Sequence, residues 1–280
     1  MLFSTFCWHY EDNLLCSISY NHVGCSRTWY GIPGLERHDM ERIARKFILP
    51  KHVCRNEDHL RKQTSMFSPD LLVQHGLSVC RTIQRPGDFI ITWPGAFHSG
   101  FSHGCSVSES VNFALADWLP WGFAAIRMYT KVGRKPVLQH ADLILNYVDN
   151  ALQRLENCSD VHSDDFFFQA ALRFLIQEER AARQDLITFA SRVECLDKKE
   201  LVDSCSICNF SLDLSFFTCH CKPKQRLCWL HLQDHRGAVK RNPCRVSLFI
   251  RYTIDELQDR FERLSVQVGS HRFHCDPYLL

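Results

Sequence analysis

The sequence predicts an α+β chain, on three observations. Residues 1–125 alternate short aromatic and β-branched runs with Gly, Pro and Asn, the pattern of strands and turns. Residues 136–195 switch to apolar stripes at helical spacing. Residues 205–231 then set Cys205-x-x-Cys208 against Cys228-x-x-His231, a pairing by which two tight turns close a tetrahedral metal site.

The elements follow in order. FSTFCWHYED is apolar and aromatic up to His9 and reads as a buried strand. FIITWPGAFHSGF (residues 89–101) reads as a strand, a Pro-Gly turn and then His98. A helical interruption, GLERHDMERIARKFI (residues 34–48), spaces Leu35, Met40, Ile43, Ala44 and Phe47 near a helical period. SPDLLVQHG (residues 68–76) is a second short helix that Ser68 or Asp70 could cap. Beyond Pro136, Leu138, Leu143, Ile144, Val148, Leu152 and Leu155 form one helical stripe. The next helix, roughly residues 164–193, carries Phe167, Ala171, Phe174, Leu175 and Leu186, with residues 178–183 expected as a solvated charged face. A last helix, IDELQDRFERLSVQV, places Asp255 and Glu256 in its first turn. The tail HRFHCDPYLL has no periodicity. The expected division is 1–130, 131–198, 199–257 and 258–280.

Composition narrows the function. A chain of 280 residues, 45% hydrophobic and 23% charged, can bury a substantial core. A net charge of +2 gives no basic surface, so direct DNA binding is not supported by charge. There is no run of 18 apolar residues for a membrane span and no basic leader at the start. Fifteen cysteines is a high count. Cys7, Cys16, Cys25, Cys54, Cys80 and Cys105 fall singly in apolar sequence, as buried thiols do, while others crowd at metal spacing. That suits a reducing compartment and zinc better than a disulfide framework.

The chemistry begins at His9-x-Glu11. In extended backbone, residues i and i+2 share a face, so both can reach one metal, with His98 arriving from a strand distant in sequence. Two imidazoles and a carboxylate form a facial Fe(II) site whose opposite positions stay open for a co-substrate and oxygen. The plain alternative is a polar strand edge. Ionisable groups set among buried aromatic strands, however, require partners or a metal.

MLFSTFCWHYEDNLLCSISYNHVGCSRTWYGIPG (residues 1–34) and RTIQRPGDFIITWPGAFHSGFSHGCSVSESVNFALADWLPWG (residues 81–122) together resemble a JmjC domain. With LIQEERAARQDL (residues 175–186), the Cys/His cluster and RYTIDEL (residues 251–257), the chain is most similar to the JARID group of histone lysine demethylases. The resemblance implies a partial double-stranded β-helix, jelly-roll and cupin-like, whose earlier strands and a co-substrate-contacting tyrosine would precede Met1. A helical segment and a small zinc-binding unit follow. It implies His9, Glu11 and His98 as iron ligands. For 2-oxoglutarate it implies Phe6 as an aromatic wall, Ser17 and Asn112 as polar contacts, and Arg27 and Ser19 where the family has Lys and Asn. Ser102 also replaces an Asn. Arg27 keeps the cation but is longer and planar, and the smaller Ser19 could free the space it fills.

For the Cys/His unit the family has five Cys, one His and two more Cys holding two zincs. One zinc is expected at Cys205, Cys208, Cys228 and His231. A second is expected at Cys219 and Cys221 with His235 and Cys244, the nearest substitutes for a downstream pair replaced here by HRGA. The alternative is reduced, buried thiols. The function implied is an Fe(II)- and 2-oxoglutarate-dependent dioxygenase that demethylates histone H3, at lysine 4, in the nucleus and within chromatin complexes. The alternatives are a non-catalytic chromatin module and a JmjC hydroxylase acting on another protein.

Overall fold

The computed structural model describes residues 4–49, 65–158, 160–198, 204–232 and 245–269. Contacts divide the chain into two compact units, Met1–Gly122 and Phe123–Leu280. His235 and Cys244 lie outside the described residues, as do Cys54 and the C-terminal tail.

Among its described residues the first unit has seven strands: β1 Thr5–His9, β2 Cys16–Gly24, β3 Arg27–Gly31, β4 Cys80–Gln84, β5 Phe89–Thr92, β6 His98–Ser102 and β7 Ser106–Phe113. They form two antiparallel sheets, one in the order β1-β6-β3-β4 and one in the order β5-β2-β7. Neighbours in the sheet are far apart in the chain, which is the cupin-like arrangement expected from sequence. The registers decide what meets. His9 stands opposite His98, and Phe6 opposite Gly100, with an irregularity between them that re-aims the end of β1. On the other side of β6, Gly100 pairs with Trp29 and Ser102 with Arg27. Trp8, Leu14, Met40, Leu72, Phe97 and Trp118 are fully buried.

The short helices mostly form where periodicity places them. Helix α1 (Arg37–Ile43) runs into a π-turn over Ala44–Ile48. It buries Met40, Ile43 and Ala44, but leaves Leu35 and Phe47 exposed. The wider π-pitch rotates Phe47 off the buried face. Helix α2 (Pro69–Gln74) starts at Ser68, whose Oγ accepts the Asp70 N–H at 3.2 Å. Helix α3 (Leu119–Val132) was expected to be part of the β-rich region up to residue 125; it follows the Asp117-Trp118 turn and buries Leu119, Ala125, Ile126 and Tyr129.

The second unit packs α4 (His140–Cys158), α5 (Ser163–Phe189) and α6 (Ile254–Gly269) with a sheet ordered β10-β9-β11-β8. Its strands are β8 Ala190–Cys195, β9 Ser215–Cys219, β10 Lys222–Leu227 and β11 Val246–Ile250. Two expectations change here. The helix expected to run to residue 193 ends at Phe189, and ASRVEC becomes β8, paired in parallel with β11; sheet pairing overrides a helical pattern that had run out of apolar residues. The charged face is not all solvated either. Glu179 and Arg183 are buried and hydrogen-bonded at 2.8 Å, with Ser215 Oγ also donating to Glu179. Helix α6 opens on a capping box: Thr253 Oγ1 accepts the Glu256 N–H at 3.1 Å, and Glu256 accepts the Thr253 N–H at 2.8 Å.

The scattered cysteines do not behave as one class. Cys16 is buried and Cys7 half-buried, but Cys25, Cys80 and Cys105 are exposed. They sit at or just beyond strand ends, where the chain emerges from the sheet, so apolar flanks misled the reading. Among the described residues no helix is long and apolar enough to cross a membrane.

Candidate metal centres

Among the described residues, two groups of ligating side chains converge, and both are made of residues that the sequence singles out. His9, Glu11 and His98 bring one ligand atom each to within 4.8 Å of one another. β1 ends at His9, and Glu11 follows in extended backbone (φ −68°, ψ 149°) before a tight turn. His98 is distant in sequence but lies on the adjacent strand, directly opposite His9. The imidazole centroids are 4.2 Å apart, and His98 Nε2 lies 3.4 Å from Glu11 Oε1.

The second layer of contacts orients all three. His9 Nδ1 lies 2.7 Å from the Cys7 carbonyl and His98 Nδ1 3.0 Å from the Ala96 carbonyl. Each ring can donate Nδ1–H to backbone, which leaves Nε2 as the free lone pair, the usual support of a metal-ligating histidine. Burial and the neighbouring His98 lower the His9 pKa, which favours the neutral, ligating form. Burial by itself would raise the Glu11 carboxyl, but hydrogen bonds with His98 and Asn112 outweigh it and bring it down to about 2. The set is one carboxylate and two imidazoles, a donor set that fits Fe(II).

The turn after Glu11 is clamped. Asn13 and Leu14 both adopt φ of 53°, a left-handed conformation that is costly for leucine. The Trp118 indole N–H donates to the Asn13 and Leu14 carbonyls at 3.1 and 2.9 Å. The tryptophan of the DWLP sequence thus fixes the chain that presents Glu11.

The residues expected to hold a co-substrate are distributed unevenly. Phe6 and Trp29 pack at 4.5 Å, and Trp29 stacks on His98 at 5.8 Å, so an aromatic wall joins the histidine. Trp29 is buried and donates its indole N–H to Gln84 Oε1 at 2.9 Å. The Arg27 guanidinium lies over both rings, at 4.9 Å from Phe6 and 5.3 Å from Trp29. Its Nε is buried without a hydrogen-bond partner, and burial lowers its pKa. Asn112 reaches Glu11 instead, donating to Oε2 at 2.8 Å and to the Cys16 carbonyl at 3.3 Å. Ser17 Oγ pairs with Thr92 Oγ1 at 2.6 Å, and Ser19 Oγ accepts from Ser110 Oγ at 2.8 Å.

The second group is Cys205, Cys208, Cys228 and His231, again within 4.8 Å of one another. The three sulfurs are buried inside an apolar cluster with Leu186, Leu212, Phe217 and Leu248. The unit is therefore better packed than a metal-only knuckle. Three sulfurs this close cannot all be ionised unless a cation sits among them. Hydrogen bonds from Cys208 and Cys228 hold the Cys205 thiol far below its ordinary pKa, and contact with Cys205 pushes those two up. A closed Cys3His set of this kind fits zinc. Of the second expected zinc set, Cys219 and Cys221 lie with their sulfurs 2.8 Å apart.

Comparison with known proteins matches two families along this chain. Residues 1–113 match the family described as JmjC domain, hydroxylase, and residues 205–260 match the C5HC2 zinc finger. The chain is 34% identical over 277 residues to lysine-specific demethylase JMJ706 of Oryza sativa subsp. japonica, covering 92% of this chain and 31% of that protein. It is 35% identical over 278 residues to lysine-specific demethylase 5D of Homo sapiens, covering 96% of this chain and 17% of that protein. It is 34% identical over 269 residues to lysine-specific demethylase JMJ17 of Arabidopsis thaliana, covering 92% of this chain and 21% of that protein. The chain thus spans less than a third of the length of these relatives.

Proposed function

Residues 1–113 belong to the JmjC hydroxylase family and residues 205–260 to the C5HC2 zinc-finger family, and from that premise we propose that the chain is the catalytic part of a histone lysine demethylase. The family implies Fe(II) and 2-oxoglutarate for the first region and zinc for the second. The substrate we propose is methylated histone H3, with lysine 4 the favoured site, acted on in chromatin in the nucleus. Relatives named as lysine-specific demethylases along most of this chain support that reading.

One observation carries it: His9, Glu11 and His98 converge, and the aromatic ring that stacks on His98 lies under a half-buried arginine that has no carboxylate partner among the described residues. When bound, Fe(II) with 2-oxoglutarate and oxygen supplies the oxidation of an N-methyl group, whose hydroxylated carbon leaves as formaldehyde, with succinate and carbon dioxide as co-products. In this reading His9, Glu11 and His98 hold the metal. Arg27 answers the far carboxylate of the co-substrate, held in place by its stacking on Phe6 and Trp29. Those same rings keep water from the reacting face. Asn112 orients Glu11 rather than touching the co-substrate, since its amide already spans Glu11 and Cys16.

A second reading, a chromatin module without turnover, has its own support. The Ser17 and Ser19 hydroxyls are engaged with Thr92 and Ser110, so two of the expected co-substrate contacts are already occupied. Turnover separates the two readings. With Fe(II), 2-oxoglutarate and an H3 peptide trimethylated at lysine 4, the wild type is expected to release succinate and formaldehyde. The His98→Ala variant is expected to lose at least 100-fold of that rate, as removal of a metal ligand does. Equal succinate from both proteins rejects the enzyme reading. Peptides methylated at other lysines in the same assay test the site preference.

A further inference from the structure

The second unit contains a cavity of about 490 Å³ that neither metal centre uses. That is the size of a small-ligand site, roughly 300–1,000 Å³. Its wall is apolar and aromatic, with Phe123 from α3, Leu175 from α5, and Phe210 and Trp229 from the Cys/His region. Four polar side chains on that wall are buried: His140, Glu179, Asp213 and Ser215.

Asp213 is the informative group. It is only 5% exposed, and it accepts a hydrogen bond from Ser211 Oγ at 2.6 Å and one from the Ala141 backbone. Among the described residues, no Lys, Arg or His nitrogen forms an ion pair with its carboxylate. Arg251 is nearest in sign, but its Nη1 goes to Asp142 Oδ1 at 2.7 Å and to the Asp213 backbone carbonyl at 3.2 Å. The other acids on the wall are already answered. Glu179 is held by Arg183 and Ser215, and Glu178 pairs with Arg127 at 2.8 Å in an exposed position. Burial, with the neighbouring Asp142 carboxylate, outweighs the Ser211 hydrogen bond and the Arg251 charge and pushes the Asp213 carboxyl up to about 6; Arg251 is shared between two acids and does not neutralise both.

A desolvated carboxylate that shares a cavity wall with three aromatic residues is complementary to a cation with an apolar skin. A bare ammonium would have to shed strongly held water to enter, whereas N-methyl groups remove much of that cost and make favourable contacts with aromatic rings. We propose that this cavity binds an N-methylated ammonium group, its methyls against Phe123, Phe210 and Trp229 and its charge answered by Asp213. The group can come from a methylated lysine side chain or from a free quaternary amine. The site belongs to the second unit alone and does not depend on turnover at the iron centre.

The test is calorimetric titration of the zinc-loaded chain with choline, with its neutral isostere 3,3-dimethylbutan-1-ol, and with a peptide carrying trimethyl-lysine. Choline is expected to bind at least tenfold more tightly than the isostere, and Asp213→Asn is expected to abolish that preference. The isostere comparison on wild type stands even if the variant fails to fold. A trimethyl-lysine peptide that binds more tightly than choline, and loses that affinity in Asp213→Asn, assigns the site to a protein side chain. A peptide that binds no better assigns it to a free amine. Equal binding of choline and the isostere, or no binding of either cation at millimolar concentration, overturns the proposal.

Discussion

Asn112 shows how a residue's type can be legible while its partner is not. The family resemblance marks it as a polar contact for the co-substrate, while the strand register β2–β7 sets Asn112 opposite Ser17, and its amide reaches Glu11 at 2.8 Å. Register depends on pairing between distant segments, which one-dimensional spacing does not encode. Removing this hydrogen bond leaves the carboxylate free to rotate. Asn112→Ala is therefore expected to weaken Fe(II) binding about tenfold, measured by anaerobic titration, while leaving thermal stability close to wild type. Asp213 gives a residue-level test that does not involve a metal ligand. Its folded pKa of about 6 stands above the ordinary 3.8, so the native state holds the proton more tightly than the unfolded chain. Between those values unfolding releases a proton, and stability falls as pH rises through that window. Relative to Asp213→Asn, which does not titrate, wild type is expected to lose about 2–3 kcal/mol between pH 4 and pH 6.5 and nothing further above it, read from urea unfolding.

At the scale of elements, β6 carries the most information per residue. Its sequence HSGFS supplies His98 and places Gly100 between Phe6 of β1 and Trp29 of β3. A Cβ at Gly100 would lie 2.1 Å from the Thr28 carbonyl oxygen and 2.4 Å from the Phe6 ring. The ring could move, but the backbone oxygen of a paired strand could not. Gly100→Ala is expected to cost about 2 kcal/mol or more and to displace the aromatic wall under Arg27. Denaturant unfolding checks the first effect, and 2-oxoglutarate affinity the second. The element that sequence misread most was α3. Its first residues follow a strand-rich run, and a Pro near a helix start reads equally well as a turn. The strand β8 was hidden for a related reason, because its partner β11 lies more than fifty residues downstream.

For the molecule as a whole, what sequence showed and what it hid divide by physical cause. Both groups of ligating side chains were legible because their chemistry demands particular residue types, at short spacing in His-x-Glu and Cys-x-x-Cys, while His98 is marked by its strand and turn context and by the resemblance; the fold brings each group together. The burial of the Glu179–Arg183 pair and the cavity beside Asp213 were not legible, because both depend on how several elements pack together. The central claim remains the convergence of His9, Glu11 and His98 on one ion. Anaerobic Fe(II) titration of the zinc-loaded protein tests it most directly, comparing wild type with His98→Ala and Glu11→Ala. One additional metal bound per wild-type chain, lost in both variants, is the expected result. Uptake that is unchanged by either substitution would contradict it.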